Sequence, residues 1–155
     1  MRAAGLAADR GYVNAYSFIG GIPDWRKFNY PMFIDSDAQA FRVPRLSPAE
    51  ITALLAAGDY YVLDVRPLEF GRDASFVSGA NLCPLVYLES HYQQLPRDKE
   101  IIITDWFMRQ SPSAAKLLID NGYRVRGVLS GGMERWSKES LPVEERVPDG
   151  TICPL

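Results

Sequence analysis

The chain has 155 residues, enough for one domain of ordinary size with its own core and a short extension. Its 17 Lys and Arg against 19 Asp and Glu give a formal charge of −2, which is not typical of a protein that binds nucleic acid or an anionic membrane. Two cysteines and one histidine, with no Cys-x-x-Cys pair, are too few for a disulfide framework or a zinc site, so we expect no metal and no cofactor.

The first residues do not form a signal peptide. Asp9 and Arg10 interrupt the apolar stretch that follows Met1, and no apolar run is long enough to span a bilayer. We therefore expect a cytoplasmic protein that binds neither nucleic acid nor membrane, provided that Met1 is the natural start.

Apolar periodicity and turn residues predict alternating helices and strands along the chain. Helices are predicted over 2–10, 20–27, 47–57, 85–94, 111–121 and 133–138, with one helical turn over 68–72. Strands are predicted over 13–19, 60–66, 80–82, 101–104 and 125–129. The alternation over 46–140 indicates a parallel α/β sheet with helices on both faces, followed by a polar tail from Pro142.

The beginning of the chain is repeated near its end, 111 residues later and without a gap. The matches include Gly11-Tyr12 with Gly122-Tyr123, Gly20-Gly21 with Gly131-Gly132, Trp25 with Trp136, Lys27 with Lys138 and Pro31 with Pro142. Such a repeat indicates an internal duplication. We therefore predict that residues 1–34 are the last third of an upstream domain, 35–45 a linker, 46–145 the main domain and 146–155 a tail.

The loop after the strand at 101–104 lies where parallel sheets bind their ligands. The helix that begins near Ser111 directs its dipole and its free backbone N–H groups at this loop. The position suits an anion-binding active site, yet the loop begins with Asp105, a carboxylate that would repel an anion.

Several motifs occur in a fixed order along residues 44–145. They are Leu63-Asp64-Val65-Arg66, Ser78-Gly79-Ala80-Asn81 before Pro84-Leu85, the buried strand with its loop, Gly122-Tyr123, Gly131-Gly132 with Trp136, and Leu141-Pro142-Val143. This set resembles the rhodanese-like domain, and residues 2–33 resemble a fragment of a second one. The resemblance implies a five-stranded parallel sheet flanked by helices. It also implies a reaction in which a loop cysteine accepts a sulfane sulfur, for example from thiosulfate, and passes it to a thiophilic acceptor.

The loop itself departs from the pattern that the resemblance implies. The family's loop typically begins with Cys and carries Gly, Arg and Ser three, five and six positions later, where this chain has Asp105, Met108, Gln110 and Ser111. A carboxylate cannot carry sulfane sulfur, which requires a thiolate. We therefore expect a domain that is inactive in the family's reaction and acts in binding, scaffolding or regulation. The alternatives are a thiosulfate or persulfide sulfurtransferase that uses another cysteine, such as Cys153 or one of a partner chain, or one whose active site lies in an upstream domain.

Asp105 could instead be a nucleophile, as in phosphatases that present Asp-x-Asp after such a strand. Phe107 occupies the third position here, and no glycine-rich phosphate loop with a Lys accompanies it. We prefer the interpretation in which the Asp105 carboxylate accepts hydrogen bonds from the N–H groups of its own loop and of the helix N-terminus.

Trp106, Phe107 and Met108 place three large apolar side chains in a loop that should face solvent. They could form a protein-docking surface or fold back to fill the vacated pocket, and the sequence does not decide between the two. Arg109 is expected to be solvated, with Asp105 as its alternative partner.

The remaining candidates are structural or reactive. Asp64 and Arg66 are predicted to tie the end of their strand to neighbouring loops. Cys83 is predicted to be a small buried side chain, and Cys153 an exposed thiol and the possible reactive one. Because about thirty residues cannot bury a core, we expect residues 1–34 to dock on the main domain or on another copy of the chain, so a protein partner or self-association is predicted.

Overall fold

A computed structural model describes residues 2–33, 36, 40–67, 75–146 and 153 of the chain. The chain divides into two units, Met1–Gln39 and Ala40–Leu155. Residues 68–72, for which a helical turn is predicted, lie outside the described residues, as does most of the predicted tail. The domain limits predicted from the repeat stay predictions.

The larger unit contains a five-stranded, fully parallel sheet, as predicted. Its strands are β1 (Arg45–Leu46), β2 (Tyr60–Asp64), β4 (Asn81–Leu82), β5 (Glu100–Thr104) and β6 (Val125–Leu129), and their order across the sheet is β1-β6-β5-β2-β4. A separate antiparallel pair joins β3 (Ser75–Val77) to β7 (Val143–Glu145). The polar tail predicted from Pro142 is therefore wrong for β7, and β1 and β3 were also missed, because strands of two or three residues are too short to show an apolar period.

The helices that the structure describes in full in the larger unit alternate with its strands in chain order. They are α3 (Pro48–Ala57), α4 (Leu85–His91), α5 (Ser111–Asp120) and α6 (Gly132–Lys138), and a 3₁₀ turn over Tyr92–Gln94 follows α4. The start of α3 is encoded locally. Ser47 and Glu50 cap each other's backbone N–H groups, and Pro48 occupies the first helical turn.

The core lies on both faces of the sheet, and β5 is buried between its two parts. Ile101 and Ile103 pack into one apolar cluster together with Leu63 of β2. Ile102 packs into the other cluster, on the opposite face, because successive side chains of a strand alternate in direction. The run of three isoleucines thus fixes the central strand and, with it, the position of the loop that follows.

The smaller unit contains α1 (Arg2–Asp9) and α2 (Gly21–Lys27), at the two places where helices are predicted. The strand predicted over 13–19 is wrong, because the structure assigns no strand there. The matching segment of the repeat is β6, which pairs with β1 on one side and β5 on the other. A strand depends on such partners, and residues 13–19 pair with no strand of the described chain.

No helix within the described part of the chain is long and apolar enough to cross a membrane.

Candidate functional site

The candidate site lies at the carboxyl edge of the parallel sheet, in the loop between β5 and α5. Val65 N–H donates to the Thr104 carbonyl at 2.9 Å, and Cys83 N–H donates to the Asp64 carbonyl at 2.8 Å. The ends of β2, β4 and β5 are thereby aligned. This alignment brings Asp64, Cys83 and Asp105 to the same edge.

The Asp105 carboxylate closes the loop from within. One of its oxygens accepts the Met108 N–H at 2.6 Å, and the other accepts the N–H groups of Gln110 at 2.7 Å and Ser111 at 3.0 Å. The Asp105 residue is only 1 % exposed. These are the hydrogen bonds expected of a carboxylate at a helix N-terminus, and they confirm the interpretation preferred from the sequence.

The three apolar side chains of the loop, Trp106, Phe107 and Met108, differ in their exposure to solvent. Trp106 is half-buried against the core cluster that contains Ile102, and Met108 packs against the opposite cluster. The Met108 sulfur also accepts the Gly131 N–H at 3.1 Å. Phe107 alone is well exposed, at 46 %. Two side chains therefore fold back into the domain and one faces solvent.

Met108 keeps an unusual backbone conformation. Its φ is +59°, in the left-handed region that favours glycine. The resemblance implies a glycine at this position, and a φ of this sign is one that glycine adopts without strain. Arg109 is exposed and lies over the Phe107 ring at 5.6 Å, and its expected alternative partner, Asp105, is bound instead by backbone N–H groups.

The N-terminus of α6 supports the loop from the other side. Met133 N–H donates to the Asp105 carbonyl at 2.8 Å, and Glu134 N–H donates to the Trp106 carbonyl at 3.3 Å. A Cβ on Gly132 would lie 2.3 Å from the Trp106 carbonyl oxygen. Gly132 is therefore required for this close approach. The sequence analysis noted the Gly131-Gly132 motif without assigning this contact to it.

Asp64 and Arg66 form a fully buried ion pair beside the loop. The Arg66 Nε donates to both Asp64 carboxylate oxygens, at 3.0 and 2.9 Å, and Nη2 donates to the Ser75 carbonyl at 2.8 Å. Burial raises the pKa of Asp64, and the Arg66 charge opposes that shift. The pair ties the end of β2 to β3, as predicted, and the guanidinium lies between the rings of Phe76, at 4.7 Å, and Trp106, at 5.8 Å.

The predicted exposed thiol of Cys153 is wrong. Cys153 forms a disulfide with Cys83, and the two residues are 4 % and 1 % exposed. The prediction that Cys83 is buried is confirmed, but its pairing was missed, since a contact between residues separated by 70 positions leaves no periodic signal in the sequence. Neither sulfur is a free thiol in this structure.

Among the described residues, no group of three or more His, Cys, Asp or Glu side chains is arranged to hold a metal ion. The described residues at this edge include a buried carboxylate, a buried ion pair and a disulfide.

Comparisons with known proteins agree with this geometry. The model of the rhodanese-like domain matches residues 47–139. The uncharacterized protein YibN of Escherichia coli K12 is 27 % identical over 104 residues, which cover 66 % of this chain and 73 % of that protein.

Solved structures of similar proteins share the fold. A rhodanese-related protein from Thermoplasma volcanium superimposes with a TM-score of 0.59 at 25 % identity, covering 67 % of this chain and 98 % of that one. A full-length protein from Lactobacillus plantarum gives a TM-score of 0.58 at 27 % identity, covering 66 % and 88 %. The fold and the edge-of-sheet loop define an α/β domain of the rhodanese type, and the family match is to more than half of the chain. This chain belongs to the rhodanese-like domain family.

Proposed function

We propose that this protein is a non-catalytic rhodanese-like domain that acts in binding, scaffolding or regulation. One observation carries the proposal: the Asp105 carboxylate takes up three backbone N–H groups of the loop at 2.6–3.0 Å. In the reaction that the family resemblance implies, such groups would hold a cysteine persulfide. Here they hold a side chain that cannot accept sulfane sulfur.

Electrostatics argue against the binding of an external anion by the N–H groups of Met108, Gln110 and Ser111, which together form an anion cradle. Two like unit charges about 4 Å apart repel each other by about 4 kcal/mol at the effective dielectric constant found near a protein surface. A thiosulfate or phosphate ion would meet that repulsion from Asp105, and the three N–H groups that could offset it are already used. The cradle is therefore neutralised by its own side chain.

The exposed side of the loop supports a role in binding. Phe107 is 46 % exposed, and the Arg109 guanidinium lies over its ring. An aromatic ring with an arginine beside it is a combination enriched in protein interfaces. The partner remains a protein of unassigned identity.

The alternatives differ in their support. A phosphoryl-transfer role, in which Asp105 would be the nucleophile, is disfavoured because Asp105 is 1 % exposed and both its oxygens accept hydrogen bonds. A sulfurtransferase that uses Cys153 is disfavoured because Cys153 is 4 % exposed and forms a disulfide with Cys83. A sulfurtransferase whose active site lies in an upstream domain stays an alternative, and it rests on the internal repeat.

The proposal is tested by incubating the protein with thiosulfate and cyanide, measuring thiocyanate, and checking the intact mass for an added sulfur atom. We expect no turnover and no added sulfur in the parent protein. Asp105→Cys is expected to gain one sulfur, located at position 105 by peptide mapping, whereas the matched control Asp105→Ser gains none. Thiocyanate production by the parent protein would contradict the proposal.

A further inference from the structure

The smaller unit reproduces the local structure of the last third of the larger one. The helices α2 (Gly21–Lys27) and α6 (Gly132–Lys138) are offset by the same 111 residues as the sequence repeat. The Trp25 indole N–H donates to the Pro31 carbonyl at 2.9 Å, and the Trp136 indole N–H donates to the Pro142 carbonyl at 3.0 Å. The repeat therefore extends to a side-chain hydrogen bond.

The backbone repeats as well. Asn29 and Ser140, at the same offset, have φ values of +53° and +52°. The Tyr12 N–H donates to the carbonyl five residues earlier at 3.1 Å, and so does the Tyr123 N–H, at 3.0 Å. Both ends of the helix–segment–helix unit therefore share these details with the last third of the larger unit, whereas residues 13–19 lack the strand pairing of β6.

The two copies differ in what covers their apolar residues. Four matched pairs show the contrast, with the first copy exposed and the second buried: Tyr12 at 68 % and Tyr123 at 5 %, Phe18 at 49 % and Leu129 at 0 %, Ile22 at 62 % and Met133 at 0 %, Trp25 at 37 % and Trp136 at 3 %. A set of exposed apolar side chains of this kind marks an interaction surface.

The second copy shows which elements provide the cover. On one side of β6, Val128 N–H donates to the Pro44 carbonyl and Ser130 N–H to the Leu46 carbonyl, at 2.9 and 2.8 Å. On the other side, Ile101 N–H donates to the Arg124 carbonyl at 2.8 Å. In the first copy, the structure pairs residues 13–19 with no strand of the described chain.

We infer that residues 2–33 form a docking surface for a parallel β-sheet of the kind formed by β1, β2 and β5, supplied by polypeptide outside residues 1–155. Two strands of that sheet flank residues 13–19. One side of the supplied domain covers Tyr12, whose equivalent Tyr123 lies in one core cluster, and the opposite side covers Phe18 and Ile22, whose equivalents lie in the other cluster. A second copy of this chain is not the proposed occupant, because its own β1 and β5 already pair with its own β6.

The experiment adds a second set of the strands β1, β2 and β5 to the intact protein. A second copy of residues 40–111 is fused ahead of residue 1, which preserves the register because residue 112 is the repeat equivalent of residue 1. Hydrogen exchange is measured on the amides of residues 13–19. We expect these amides to exchange rapidly in the parent protein and to slow roughly 100-fold or more in the fusion.

A matched pair of substitutions provides the control. Phe18→Ser in the parent protein is expected to leave the thermal unfolding midpoint of the larger unit unchanged, because its side chain is uncovered. Leu129→Ser, at the equivalent buried position, is expected to lower that midpoint by about 10 °C or more. In the fusion, Phe18→Ser should abolish the protection of residues 13–19.

Three results would overturn the inference. The first is rapid exchange of residues 13–19 in the fusion, whether or not the added copy folds. The second is protection of these residues already in the parent protein. If the protected protein is a dimer, a second copy is the occupant, and if it is a monomer, the larger unit is the occupant. The third is a lowered unfolding midpoint for Phe18→Ser in the parent protein, which would show that Phe18 is already covered.

Discussion

In the loop after β5, the Asp105 carboxylate accepts three backbone N–H groups, which on our proposal are the donors that a persulfide would need. Among the loop positions that depart from the pattern implied by the resemblance, Asp105 is the one on which the proposed loss of activity rests. Met108, at φ +59°, has the left-handed backbone conformation that favours glycine. The loss of activity that we propose requires no change of fold.

Asp105→Ala is expected to lower the free energy of unfolding by about 2–4 kcal/mol, because it leaves three backbone N–H groups without their acceptor in a buried loop. Chemical denaturation measures this change. Asp59→Ala is a suitable control, since Asp59 forms an exposed ion pair with Lys99 and its loss should cost less than about 1 kcal/mol. Equal effects of the two substitutions would show that Asp105 does not hold the loop together.

Arg66→Met is expected to destabilise the domain by about 3–5 kcal/mol, because it leaves the Asp64 carboxylate buried without its partner. Burial raises the pKa of Asp64, and the variant loses the charge that opposes this shift. The folded variant therefore holds a proton on Asp64 more tightly than the unfolded chain does. Its stability should be greatest at low pH and should fall as the pH rises from the ordinary aspartate pKa to the raised one, which denaturation curves at several pH values would reveal.

The combined substitution Asp64→Leu with Arg66→Met provides the check on that account. Removing both charges should cost less than the sum of the single changes, since no unpaired buried charge remains. Additive losses would indicate that the two side chains act independently.

Helices and strands were predictable from the sequence where neighbouring residues specify them. The capping box of α3 specifies its start from Ser47 to Glu50, and the three isoleucines of β5 indicate a strand buried on both faces. The segment 13–19 shows the limit, because it occupies the position of β6 in the repeat but has no flanking strands among the described residues. Pairing partners lie far away in the sequence, so a pattern alone cannot report their absence.

Gly132→Ala is expected to destabilise the domain and to displace the loop, because its Cβ would lie 2.3 Å from the Trp106 carbonyl oxygen. The repeat provides a matched control. Gly21 has nearly the same φ, +59° against +61°, but its Cβ would meet only Pro23 Cδ at 3.6 Å. Gly21→Ala therefore reports the backbone strain without the clash. We expect Gly132→Ala to lower the thermal unfolding midpoint by several degrees, and an effect no larger than that of Gly21→Ala would contradict the proposed contact.

At the scale of the whole molecule, the disulfide was the feature that the sequence did not predict. It joins Cys153, beyond β7, to Cys83, at the end of β4, across 70 positions. The cytoplasmic location expected from the sequence stays a prediction. The family and the parallel sheet, by contrast, were predicted correctly from motifs spread over residues 44–145.

Cys83→Ser is expected to lower the free energy of unfolding by about 4 kcal/mol, because opening a loop of this length restores conformational entropy to the unfolded chain. Denaturation of the oxidised protein and the variant measures the difference. Cys153→Ser should give a similar loss, and a thiol reductant should destabilise the parent protein without affecting either variant. A reductant that leaves the parent protein unchanged would contradict a stabilising role for the bond.

The most direct measurement of the central claim is the NMR observation of the Met108, Gln110 and Ser111 amides with and without thiosulfate. If the Asp105 carboxylate occupies the cradle, these amides exchange slowly with solvent and their chemical shifts do not respond to thiosulfate, whereas in Asp105→Ala they exchange rapidly. Thiosulfate-dependent shifts of these three amides in the parent protein would show that the donors are open to an external anion, and the account of a loop closed by its own carboxylate would be wrong.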